Sequence, residues 1–159
     1  MDSALVNAVL AAVKNVMKMM VHQDITHAEP YFKRGNIAFG EVSSYIYLVN
    51  VETKASVSVS FPYDVIKKIA EIMLPPGTKI NGEVIKDLTQ EMANMFAGGA
   101  KSTLENAGLK FDMSLPKLIA GSGHEIKHVS KKGIMMIPLN ASVGPFFVEI
   151  CCVENGKAK

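Results

Sequence analysis

The chain has 159 residues, 48% of them hydrophobic and 20% charged, which is enough apolar content for a buried core and excludes a disordered segment. The formal net charge of +2 is small, and its densest basic stretch, Lys127, Lys131 and Lys132, is too sparse for a nucleic-acid footprint, so no nucleic-acid partner is expected. Cys151 and Cys152 are the only cysteines; as neighbours in an extended run they face opposite ways, so no framework disulfide is expected and a reducing, cytoplasmic setting fits. Asp2 stands where a signal peptide carries a basic region, and Lys14 and Lys18 break the first apolar run, so no membrane span is expected. One domain over 1–159 is the expected organisation.

Leu5, Val6, Val9, Leu10, Val13, Val16, Met17 and Met20 recur at helical spacing and predict a first helix over about 3–21. Strands follow over 28–33, 37–42, 45–51 and 55–61, separated by Arg34-Gly35-Asn36 and other polar breaks. In the last of these Val57, Val59 and Phe61 alternate with Ser56, Ser58 and Ser60, which predicts one buried and one wet face. Pro62 then opens a short helix through Val65, Ile66, Ile69, Ile72 and Met73 that ends before Pro75-Pro76-Gly77. A third helical pattern starts after Asn81, and two strands, 134–139 and 145–153, close the chain as a hairpin around 140–144. Short turns between strands imply an antiparallel sheet with helices packed on it, an α+β fold. Ten methionines fall mostly on apolar positions and read as core filling.

The third helix carries an unusual polar stripe. On a wheel of about 3.6 residues per turn, Ile85, Leu88, Met92, Met95, Phe96 and Gly99 share one side. Asp87, Glu91, Asn94, Gly98, Lys101 and Glu105 share a narrow second one. Adjacent glycines each cost a helix interior about 1 kcal/mol, so each needs a reason. Gly99 would let a neighbouring element approach the backbone, and Gly98 would clear room beside Asn94 for another molecule. A second possibility stays open: the helix ends at Ala97 with Gly98 as its C-terminal glycine, and a new helix starts at the capping box Ser102-Thr-Leu-Glu105.

Glutamate and asparagine three apart on an exposed face are in most proteins solvated surface, yet they suit one chemistry. An asparagine amide donates and accepts hydrogen bonds without charge, so it holds a water near a phosphoryl group without repelling that anion. Phosphoryl hydrolysis needs an in-line water and charge compensation. A carboxylate one turn away can pair with a partner's lysine and fix the register.

Asp87-x3-Glu91-x2-Asn94, followed by Ser114-Leu115-Pro116 and then Gly121-Ser-Gly-His124, resembles the CheC/CheX family of chemotaxis phosphatases. The order of elements along nearly the whole chain is also similar to that of CheX. The resemblance implies that Glu91 and Asn94 enter the active site of a phosphorylated CheY-type response regulator, with Asn94 orienting the attacking water and Glu91 binding the regulator's active-site lysine. It implies that the motif helix runs through both glycines and that Mg2+ belongs to the partner, with no cofactor bound by this chain. A single motif places the chain nearer to CheX, whose members form homodimers. Gly99 departs from the asparagine often found after the motif glycine. Asp87 is expected to cap or tune the stripe and Lys101 to touch the partner's acidic rim, unless both are merely solvated.

Two alternatives remain at this stage. The helix could dock on a regulator without hydrolysis, as relatives in the flagellar switch do. His124-Glu125-Ile126-Lys127-His128 also matches the H-E-x-x-H zinc-peptidase pattern, which needs both histidines on one helical turn. Glycines before it and Ser130-Lys-Lys-Gly133 after it leave barely room for two turns. If the segment is a strand, its histidines lie about 13 Å apart, too far to share a zinc.

Overall fold

The computed structural model describes residues 3–155. Its spine is one antiparallel sheet. The long strands are β3 (Val42–Val49), β4 (Thr53–Phe61), β7 (Met135–Ala141) and β8 (Gly144–Glu154). Short strands flank them: β1 (Thr26–His27) and β2 (Tyr31–Phe32) pair with β7, while β5 (Asp112–Met113) and β6 (Lys117–Ala120) pair with β3. The order is β1-β7-β8-β4-β3-β5. Helices α1 (Ser3–Val16), α2 (Tyr63–Met73) and α3 (Gly82–Asn106) pack on one face of the sheet, so the α+β expectation holds.

The apolar core lies between that helical layer and the sheet. Leu5, Val9 and Val13 of α1, Met92 and Phe96 of α3, and Ile46, Val57, Phe146 and Val148 of the sheet are buried together. Full burial of such side chains stabilises the fold by about 1.5–3 kcal/mol each. The first helix ends in a π-helical turn, Met17–Val21. That wider turn shifts the helical phase, so Val21 is buried while Met20, expected on the apolar stripe, is exposed. Contrary to the expectation drawn from Lys14 and Lys18, Ser3–Val21 is long and apolar enough to cross a membrane by length and composition; half of its most apolar stretch is buried inside the fold.

The predicted strand 37–42 does not form. Gly40 passes so close to β4 that a Cβ there would stand 2.5 Å from the Phe61 backbone, and its N–H donates to Ser60 Oγ. The segment therefore crosses the sheet instead of extending it, and only Ile37 forms a bridge, to Glu125. Of the predicted strand 28–33 only Tyr31–Phe32 (β2) forms; β1 lies upstream of the predicted span, and between the two stands Pro30, which has no N–H to donate.

The serine face of β4 is also not wet: Ser56, Ser58 and Ser60 are all buried. The chain between β6 and β7 folds back over this face and brings His124, Ile126 and His128 onto it, beside Ala38 and Lys33. His124 Nε2 lies 2.6 Å from Ser43 Oγ, and Ser43 and Ser60 are hydrogen-bonded at 2.8 Å. His128 contacts Ser56 Oγ through Nδ1 and Glu149 Oε1 through Nε2, and Lys33 Nζ lies 2.8 Å from Glu149 Oε2. Alternation revealed the pleat of β4, but not what covers its second side.

Candidate functional site

Helix α3 is continuous, capped and anchored along its inner face. Asn81 Oδ1 caps its start by accepting from the Val84 N–H at 3.0 Å. Its 25 residues span about 37 Å and run unbroken through both glycines, which settles the open question against two helices. Its inner face, including Ile85, Leu88, Met92, Phe96 and Ala100, is buried on the sheet and against α1.

The two glycines face different surroundings. A Cβ on Gly99 would stand 2.9 Å from Ala12 Cβ of α1, closer than two methyl groups approach, so glycine here permits the helices to pack. Around Gly98 such an atom would meet nothing within 4 Å. Gly98 leaves open space on the outer face, one turn after Asn94.

Asp87 and Glu91 are exposed, and Asn94 is half-buried at the helix surface. Among the described residues none of their side chains has a hydrogen-bond or ion-pair partner within the chain. Farther along, Lys101 is not free: it pairs with Glu105 on the next turn. Unpaired acidic and amide groups in a row on a rigid helix have hydrogen-bonding capacity available to a second molecule.

Sequence reasoning missed what flanks the stripe. On one side Leu74, Thr78, Val84 and Leu88 form a shallow apolar notch of about 380 Å³ that includes Asp87 and Glu91 in its lining. Pro75-Pro76-Gly77 signalled a turn, but not that the turn stands beside the motif. On the other side Ser114-Leu115-Pro116 approaches α3, with Gln90 Nε2 3.4 Å from the Pro116 carbonyl. Ser114 Oγ accepts from the Tyr47 N–H at 2.9 Å, and Leu115 is 85% exposed.

His124-Glu125-Ile126-Lys127-His128 is neither a helix nor a regular strand, so the turn that would bring both histidines to one zinc is not formed. Both side chains are instead engaged in the separate hydrogen-bond networks described above. Among the described residues, no group of three or more His, Cys, Asp or Glu is placed to hold a metal ion.

A helical layer packed on one face of an antiparallel sheet is the fold of CheC-like proteins. Solved structures agree. A CheC-like superfamily protein from Shewanella sp. PV-4 is 34% identical, with a TM-score of 0.85 over 96% of this chain and 99% of its own. The chemotaxis protein CheX from Vibrio vulnificus is 34% identical, with a TM-score of 0.83 over 95% of this chain and 100% of its own. More distantly, the CheX–CheY–BeF3–Mg2+ complex from Borrelia burgdorferi shares the fold at 20% identity, with a TM-score of 0.73 over 93% of this chain and 97% of the other. The family model described as chemotaxis phosphatase CheX matches residues 42–140. The chain belongs to the CheX family. A comparison with curated proteins found no match.

Proposed function

We propose that this protein dephosphorylates a phosphorylated CheY-type response regulator by hydrolysing its aspartyl phosphate. The observation that carries the reading is the outward, unpaired Glu91 and Asn94 on a continuous, capped helix of a CheX-family chain. Docked on the regulator, Asn94 hydrogen-bonds the attacking water and holds it in line with the phosphorus. Being uncharged, the amide does this without repelling the phosphoryl oxygens. Glu91 pairs with the regulator's active-site lysine, which sets the register of the helix. Gly98 leaves room for the partner beside Asn94. Lys101, paired with Glu105 in the free chain, meets an acidic rim of the regulator in this reading.

The Borrelia burgdorferi relative, solved with CheY, BeF3 and Mg2+, supports carrying such a partner to this chain. Beryllofluoride stands in for the phosphoryl group, and the magnesium here would belong to the regulator, which lives in the cytoplasm. A homodimer fits as well: Tyr31 and Phe32 of β2 are exposed apolar side chains, as are Ile37 and Phe39 on the segment that follows.

The direct test mixes catalytic amounts of the protein with a regulator phosphorylated by a small phosphodonor and follows inorganic phosphate. About 100-fold faster release corresponds to about 2.7 kcal/mol of barrier, within the reach of positioning. Binding without faster release would replace the enzyme with a docking module.

A further inference from the structure

The notch beside Asp87 and Glu91 has features that the two-residue chemistry does not use. Its lining combines the apolar side chains of Leu74, Val84 and Leu88 with two acidic residues, Asp87 and Glu91. Its far wall is held firm. Thr78 caps the Pro75-Pro76-Gly77 turn, donating to the Pro75 carbonyl through both its N–H at 3.1 Å and its hydroxyl at 2.6 Å. Gly77 takes a φ of 86°, which suits the third position of such a turn.

Asp87 and Glu91 are separated by four residues on a helix, and neither has a cationic partner among the described residues. Like charges at that spacing destabilise a helix by about 0.2–0.5 kcal/mol. A cation docked between them turns that repulsion into attraction. In the reading above Glu91 is taken by the regulator's catalytic lysine, which leaves Asp87 without a counterion one turn away, about 6 Å along the axis.

We propose that this notch receives a second basic side chain of the regulator, a lysine or arginine outside its active site. Its aliphatic stem lies on Leu74, Val84 and Leu88, and its charged head reaches Asp87. Long basic side chains bury a methylene stem while keeping the head at a polar rim, and the notch offers both surfaces side by side. The carboxylates favour this occupant over a purely apolar one, which would desolvate Asp87 without pairing it. The notch would thus select among regulators by a charge next to their phosphorylation pocket, separately from the chemistry at Asn94. The inference rests on the reading of Glu91 and Asn94 as the regulator-facing pair.

The test titrates the protein with a CheY-type regulator of the same source, loaded with beryllofluoride and Mg2+. Asp87 is exposed, so Asp87→Asn leaves the core alone. Asp87→Asn and Leu74→Gln should each weaken binding about tenfold. Added salt should weaken the wild type more than Asp87→Asn, and in turnover the larger part of the loss should fall on KM rather than kcat. If Leu74→Gln weakens binding and Asp87→Asn does not, an apolar side chain fills the notch and the proposal falls. If neither changes affinity while Asn94→Ala still loses phosphate release, the notch lies outside the interface; the proposal fails and the phosphatase reading stands. A wild-type protein that does not bind the activated regulator overturns both.

Discussion

The stripe on α3 and the cluster beneath the β6–β7 connection both contain carboxylates and polar nitrogen groups at spacings that suggest chemistry, and the fold treats them in opposite ways. Under the connection, Glu149 is fully buried and held by Lys33 and His128, while His124 is bonded to Ser43 and Gly121. On α3, Asp87, Glu91 and Asn94 face outward with no partner among the described residues. A satisfied buried network supports the fold; unsatisfied groups aligned on a rigid surface have capacity to spare for another molecule. Letter for letter the buried cluster had the better-known motif, and both of its histidines are already hydrogen-bonded within the chain.

Stability measurements should separate the two regions most strongly. Glu149→Ala leaves Lys33 buried without its carboxylate, and we expect a loss of about 3–5 kcal/mol in urea unfolding. Glu91→Ala, on exposed surface, should stay within about 0.5 kcal/mol of the wild type. Comparable losses at both positions would erase the distinction.

The adjacent glycines sharpen it at smaller scale. Gly99→Ala forces a methyl group to 2.9 Å from Ala12 Cβ, and should cost about 1–3 kcal/mol as α1 and α3 are pushed apart. Gly98→Ala meets open space, so it should stabilise the free protein by about 1 kcal/mol while slowing phosphate release from the regulator. A Gly98→Ala protein that is both more stable and fully active would mean that no partner approaches that face.

The smallest expected effect is a pH dependence on the buried side. Burial, with the neighbouring Tyr45 adding to it, pushes the Tyr47 phenol above its ordinary value, and its hydroxyl donates to the Lys127 carbonyl at 2.6 Å. The folded state therefore holds this proton more tightly than the unfolded state. Its contribution is complete below pH about 10 and is lost as pH rises through the raised folded value. Unfolding midpoints followed upward from neutral pH should fall in that window for the wild type, and less for Tyr47→Phe.

Much of this was legible in the sequence for identifiable reasons. The helices showed because Leu5 to Val16 and Ile85 to Phe96 repeat at helical spacing, and β4 showed because Val57, Val59 and Phe61 alternate with serines. The outward placement of Glu91 and Asn94 showed because the stripe stood beside a separate apolar face; their role was suggested only by the resemblance of Asp87-x3-Glu91-x2-Asn94 to a family motif. Three things were not legible. The burial of Ser56, Ser58 and Ser60 depends on a connection that arrives from more than sixty residues later in the chain. The loss of strand 37–42 depends on Gly40 meeting the Phe61 backbone, a contact that no local pattern records. The notch joins Leu74 and Thr78 to α3 across a turn, so periodicity within either element is blind to it.

The central claim is that one amide on α3 positions water on another protein's acyl phosphate. The most direct measurement compares the lifetime of a phosphorylated regulator with wild-type protein and with Asn94→Ala, alongside each protein's affinity for the beryllofluoride-loaded regulator. The account predicts that Asn94→Ala loses about 100-fold acceleration, about 2.7 kcal/mol, while still binding. Release that is as fast with Asn94→Ala as with the wild type would contradict it.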